Sequence, residues 1–148
     1  MARWKIKNVG MKGVAMAVPE NVVKTSDFAF FSQEEAEVFD NTVGIRRRHI
    51  APDNMCASDM CQAAAEKLLE ELGWERDSID VLLFESVTGD YRTPPTSCIL
   101  QDRLALSENC FCMDIPMGCC GCMYAITVAG NLLTYGVDEG QEPRTIVW

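Results

Sequence analysis

A cysteine that follows a strand and opens a long apolar helix is well placed to act as a nucleophile, and Cys119 stands in such a position. The segment Asp114-Ile-Pro-Met-Gly-Cys-Cys-Gly-Cys-Met-Tyr-Ala-Ile126 sets it at a glycine-flanked turn. A thiol attacks as its thiolate. The partial positive charge at a helix N-terminus favours that form, and free backbone N–H groups there can hold a developing oxyanion. Gly118 and Gly121 are expected to leave room for a substrate to approach.

Other cysteine chemistries compete with this one. Cys56, Cys61, Cys98, Cys110 and Cys112 read as small core hydrophobes, the usual role of an unpaired cysteine. Cys119-Cys120-Gly121-Cys122 also contains a C-x-x-C at a helix start, which suits a thiol redox pair, and Cys110 and Cys112 on one strand face could add metal ligands. No second C-x-x-C and no His pair at zinc spacing accompanies them, and no metal is expected. Arg46-Arg47-Arg48-His49 is the one basic cluster in the sequence. So short a run more often pairs with nearby carboxylates than docks a partner, but it is the docking candidate.

A chain of 148 residues with 48% hydrophobic content suits one domain over residues 1–148. A net charge of −9 argues against nucleic acid or an anionic membrane as partner. Eight irregularly spaced cysteines behind Met1-Ala-Arg-Trp-Lys-Ile, which has no apolar signal region, point to a reducing cytoplasm. Ile115 to Val137 carries no formal charge, but Pro116, Gly118, Gly121, Gly130 and Asn131 interrupt it and acidic residues flank it. It reads as a central buried helix, not a membrane span. Apolar residues continue to Thr145-Ile-Val-Trp148, an edge or unfinished strand, so the chain is expected to be part of something larger.

The elements follow from pattern. Residues 4–18 suit a strand or hairpin, broken at Pro19-Glu20-Asn21. Ser32-Gln-Glu-Glu35 has the form of a capping box, predicting a helix to about Thr42 that closes at Gly44. Ser58 opens a second helix, with Met60, Ala64, Leu68 and Leu72 on one side and Gly73 at its end. Val81-Leu-Leu-Phe84 reads as a strand covered on both faces. A helix after Pro94-Pro95, a strand at Cys110–Met113, the Cys119 turn, the helix to Tyr135 and the strand at Thr145–Trp148 complete the series. The alternation of strands and helices calls for an α/β fold, with a mostly parallel sheet and helices on both faces.

The pattern Asp114-Ile-x-x-Gly118-Cys119-x-Gly121-x-x-Tyr124-Ala125-Ile126 resembles the nucleophile motif of the beta-ketoacyl-acyl carrier protein synthase III group of thiolase-fold condensing enzymes. Gly44-Ile45-Arg46-x-Arg48-His49-Ile50 resembles that group's upstream signature, Ser58 with Ala63-Ala64-Ala65 fits the helix after it, and Pro94 to Gln101 fits the helix before the nucleophile. The resemblance implies the N-terminal half of a thiolase-like fold and an acyl-cysteine at Cys119. It also implies decarboxylative condensation with malonyl-acyl carrier protein, acyl-coenzyme A or acyl-carrier protein as substrates, no tightly bound cofactor, and a homodimer paired near Thr145–Trp148. The assisting His and Asn of such enzymes lie in their second half. His49 lies in the Arg-rich signature and does not match the catalytic histidine.

On the same resemblance Arg46, Arg48 and Thr93 become substrate-binding candidates. Thr93 stands where some members carry a bulky aromatic gate, so a longer or branched acyl chain is implied, while its plainer reading is a helix cap before Pro94-Pro95. Val38 stands where some members stack a Trp on coenzyme A, which favours a carrier-protein donor. Cys120 and Cys122 replace the small and aromatic residues common there, implying oxidation sensitivity. A redox or metal module on Cys119 and Cys122, or a non-catalytic partner of the same fold, are the alternatives.

Overall fold

Ser32 and Glu35 exchange hydrogen bonds, and this reciprocal cap starts an α-helix at Gln33. Ser32 Oγ accepts the Glu35 N–H at 3.2 Å, and Glu35 Oε2 accepts the Ser32 N–H at 2.9 Å. The bonds to the Ser32 backbone and then to its hydroxyl hold the Glu35 carboxyl below its ordinary value. The structure, a computed structural model, describes residues 5–7, 9–135 and 145–147. It divides into two compact units, Ala17–Cys56 and Met1–Met16 with Ala57–Trp148.

In the smaller unit, β1 (Val22–Lys24) pairs antiparallel with β2 (Arg47–His49), and α1 (Gln33–Val43) falls between them in sequence. α1 closes at Gly44 as expected. The φ of 78° at Gly44 is the left-handed conformation that glycine adopts freely, and its N–H donates to Asp40 O at 3.0 Å. Sequence pattern marks neither strand, because each has three residues and no sustained alternation.

The larger unit holds α2 (Ala57–Leu72), β3 (Val81–Glu85), α3 (Thr96–Arg103), β4 (Phe111–Ile115), α4 (Gly121–Tyr135) and β5 (Thr145–Val147). Its three strands are parallel in the order β4-β3-β5, with Val81 opposite Phe111 and Thr145, and Glu85 opposite Ile115. On one face Leu82 and Phe84 pack with Ala65 and Leu69 of α2 and Leu100 and Leu104 near α3. On the other, Val81 and Leu83 pack with Ile115 and with Ala125 and Ala129 of α4. Helices cover both faces of β3, which is why its apolar run shows no alternation. Among the described residues no helix is long and apolar enough to cross a membrane.

Four local expectations change. No strand forms over residues 4–18 as far as they are described; the residues from Lys12 to Val18 keep a strand's alternation of exposure but gain no ladder partner. Gly13 instead packs on Leu68 and Leu72 of α2, and Ile6 on Gly130 of α4. Of the expected face of α2 only Ala64 is fully buried, while Met60, Leu68 and Leu72 are half-buried; Ser58, Ala65 and Leu69 are buried beside it, the last two against β3. Cys110 is buried, but Cys61, Cys98 and Cys112 are half-buried, and Cys56 is exposed in the loop before α2. The helix expected to be buried all round is covered by the sheet on one face only: Met123 and Tyr124 are 64% and 55% exposed.

Candidate active site

The site is built at the carboxyl end of the parallel sheet. β3 and β4 run side by side, so the loops that leave them, residues 86–95 and 116–120, emerge at the same end. Ile115 O accepts the N–H groups of Ser86 at 3.3 Å and Met117 at 2.9 Å, fixing the two exits to each other. Gly118 O then accepts the Gly121 N–H at 2.7 Å, closing a tight turn around Cys119 and Cys120. Cys120 O accepts from Met123 at 3.1 Å and Tyr124 at 3.4 Å, which starts α4.

Cys119 is exposed at this turn, as are Cys120 and Cys122. Among the described residues the backbone N–H groups of Cys119 and Cys120 have no acceptor, so they remain available to an incoming oxyanion at the positive end of α4. Three thiols elsewhere in the chain are raised in pKa. Burial, then the nearby Asp90, pushes Cys61 up to about 11. Burial, then the thiols of Cys110 and Cys98, pushes Cys112 up to about 12, and Cys110 is raised chiefly by burial. Thiols so raised are poor nucleophiles at neutral pH. Among the described residues no group of three or more His, Cys, Asp or Glu side chains is placed to hold a metal ion.

The two motif glycines have separate reasons. Among the described residues nothing lies within 4 Å of where a Cβ on Gly118 would stand, so that side of the turn is open to them. A Cβ on Gly121 would fall 2.6 Å from Glu85 Cγ and closer still to the Glu85 carboxylate. The expected room at Gly121 is therefore taken by a side chain of the protein. Sequence reading does not single out Glu85, although a charged residue ending an otherwise apolar strand marks the carboxyl end of the sheet, where α/β sites form.

Asp114, in the motif before Cys119, serves the neighbouring helix. Its two carboxylate oxygens accept the N–H groups of Thr96 at 2.7 Å and Ser97 at 2.8 Å, capping α3. Thr93, expected as a possible cap, is exposed in the preceding loop, and Pro95 occupies the cap position without a side-chain bond. A second carboxylate, Asp90, accepts the Ser58 hydroxyl at the start of α2, and its N–H donates to Thr96 Oγ1 at 3.1 Å. Arg103 completes the network, donating to Ser58 Oγ at 2.8 Å and pairing with Asp59 at 3.0 Å.

Arg46 and Arg48 belong to the smaller unit. Arg46 is exposed beside Glu34, Glu37 and Asp40. The Arg48 guanidinium lies 5.8 Å and 5.3 Å from the ring centres of Phe28 and Phe39, and 3.4 Å from Thr25 Oγ1. Among the described residues none of Arg46, Arg47 and Arg48 forms an ion pair with a carboxylate. The pairing expected for a short basic run is therefore not formed among the described residues: Arg46 and Arg47 are exposed, Arg48 lies on the rings, and His49 Nδ1 lies 2.5 Å from Pro19 O.

A parallel sheet layered by helices on both faces resembles the N-terminal region of thiolase-fold proteins. The structure matches that of a 3-oxoacyl-(acyl-carrier protein) synthase from Burkholderia xenovorans with a TM-score of 0.79 and 38% identity, over 84% of this chain and 36% of that one. In sequence it is 33% identical over 131 residues to a beta-ketoacyl-[acyl-carrier-protein] synthase III of Clostridium perfringens, covering 88% of this chain and 40% of that protein. It is 35% identical over 127 residues to the protein of the same name from Geobacillus kaustophilus, covering 86% and 41%. No family model matches the chain. The chain is a homologue of the beta-ketoacyl-acyl carrier protein synthase III proteins, and it spans about two fifths of the length of those relatives.

Proposed function

We propose that this chain is the nucleophile-bearing half of a beta-ketoacyl-acyl carrier protein synthase III-like acyltransferase. Cys119 attacks an acyl thioester: its sulfur bonds the carbonyl carbon, the oxyanion rests on backbone N–H groups of the turn, and the donor's thiol leaves with a proton. The acyl group then passes to the carbanion released when malonyl-acyl carrier protein loses carbon dioxide. Acyl-coenzyme A or acyl-carrier protein supplies the acyl group, without a tightly bound cofactor, and Arg46, Arg48 and Thr93 are the substrate-contact candidates. The working form is a cytoplasmic homodimer, and residues 1–148 act as one thiolase-like portion of it.

The observation that carries this reading is the placement of Cys119: an exposed thiol with open backbone N–H groups at the start of α4, among relatives named for the reaction. The test is incubation of the complete protein with an acyl thioester, followed by peptide mass mapping. Acyl label on Cys119, lost in Cys119→Ala, is the expected result; label that survives the substitution overturns the reading.

A further inference from the structure

Glu85 is the carboxylate that the fold brings to the nucleophile turn. It ends β3 opposite Ile115, and its side chain lies against the bare Cα of Gly121, where a Cβ would stand 2.6 Å from Glu85 Cγ. Gly121 closes the turn that holds Cys119, through its 2.7 Å bond to Gly118 O. Asp114 is close in sequence, but both its oxygens are engaged by Thr96 and Ser97. Glu85 is half-buried and, among the described residues, accepts no hydrogen bond and makes no ion pair. Its carboxylate lies against Gly121 at the N-terminal end of α4, open to whatever approaches the turn.

We propose that Glu85 is a charge filter at the nucleophile turn, disfavouring donors whose acyl group carries a carboxylate and favouring uncharged acyl groups. The inference rests on Cys119 as the nucleophile. A condensing enzyme that uses an uncharged acyl primer and a carboxylated extender must keep free extender from acylating its cysteine, and a carboxylate held against Gly121, two residues from that cysteine, does so by like-charge repulsion. The transfer itself is unaltered: the Cys119 sulfur–acyl bond forms as the donor's carbon–sulfur bond breaks, and the proton leaves with the donor's thiol.

Iodoacetamide and iodoacetate provide the test on the 148-residue chain, because they share a leaving group and differ in charge. Rates at Cys119 are read by mass mapping with fragmentation that separates it from Cys120 and Cys122, and are normalised to Cys56, an exposed thiol of the smaller unit. Taking the ratio of the two reagents cancels thiolate content and any loosening of the turn, so a merely structural role for Glu85 leaves it unmoved. The preference for iodoacetamide at Cys119 should exceed that at Cys56 by about threefold to tenfold, the size of a unit-charge repulsion across several ångströms of partly solvated space. It should shrink with added salt and collapse in the isosteric Glu85→Gln variant. A preference that persists in Glu85→Gln overturns the proposal, as does a wild-type preference equal to that at Cys56 at low salt. Failure of any thioester to acylate Cys119 would instead overturn the nucleophile reading and leave this ratio intact.

Discussion

Asp114 holds the N-terminus of a helix that lies ahead of it in the chain: its carboxylate accepts the N–H groups of both Thr96 and Ser97. The strand that leads to Cys119 and the helix before it are thus fastened together by a single side chain. Asp114→Ala should cost about 1–3 kcal/mol of stability, the usual range for losing charge-assisted cap bonds. Asp114→Asn, which keeps one acceptor oxygen, should cost less. Urea unfolding midpoints compare the two, and equal stability in wild type and Asp114→Ala would show that the cap is idle.

Gly121→Ala should destabilise by about 1–3 kcal/mol through collision with Glu85, although alanine is ordinarily the better helix residue. In a Glu85→Ala background the same substitution should cost little, because the added methyl fills vacated space. A double-mutant cycle of unfolding free energies reads the coupling, and strict additivity would contradict the contact. Gly118→Ala, with nothing near its Cβ position among the described residues, should stay within about 0.5 kcal/mol of wild type.

The thiols should separate into two classes. Cys119, Cys120 and Cys122 are exposed and should take up a maleimide early, whereas Cys61, Cys110 and Cys112 should follow only on opening of the fold. A hydroperoxide should likewise block the first class, with labelling restored by a dithiol reductant. Time-resolved mass mapping checks both, and early labelling of Cys110 would refute the burial of that face.

Stability should fall on the alkaline side. Cys61 and Cys112 have folded-state values of about 11 and about 12, above the ordinary 9.0, so between these limits the unfolded chain loses protons that the folded chain keeps. Their contribution is full below about pH 9 and disappears as pH rises toward 11 to 12. Chemical unfolding midpoints across that window should slope downward, and less so in a Cys61→Ala, Cys112→Ala variant. Glu35 acts in the opposite sense: its depressed value makes the α1 cap strongest above the ordinary carboxyl range and weaker as acid protonates it. Ser32→Ala should blunt that acid sensitivity of α1, followed by helical circular dichroism.

The larger elements were legible because their signals are local or repetitive. Ser32-x-x-Glu35 and Gly44 state the two ends of α1, and the unbroken apolar run Val81–Phe84 states that β3 is covered on both faces. The position of Cys119 was legible from a motif that spans strand, turn and helix. What escaped depends on contacts distant in sequence. Glu85 meets Gly121, Asp114 meets Thr96, and Asp90 meets Ser58 only after the sheet has assembled. Residues 4–18 carried a strand's alternation, but alternation reports which side is covered, and a strand also needs a neighbour to bond. Trp148 of the expected terminal strand lies outside the described residues.

β4 is bonded to β3 along one side and, among the described residues, to no strand along the other. Among the described residues the segment that delivers the reactive turn is moored by one ladder of five residue pairs, by the α3 cap and by the packing of Ile115 in the core. Amide exchange along Phe111–Ile115 consequently serves as a gauge of the reaction centre: any perturbation that quickens it slackens the footing of Cys119 as well.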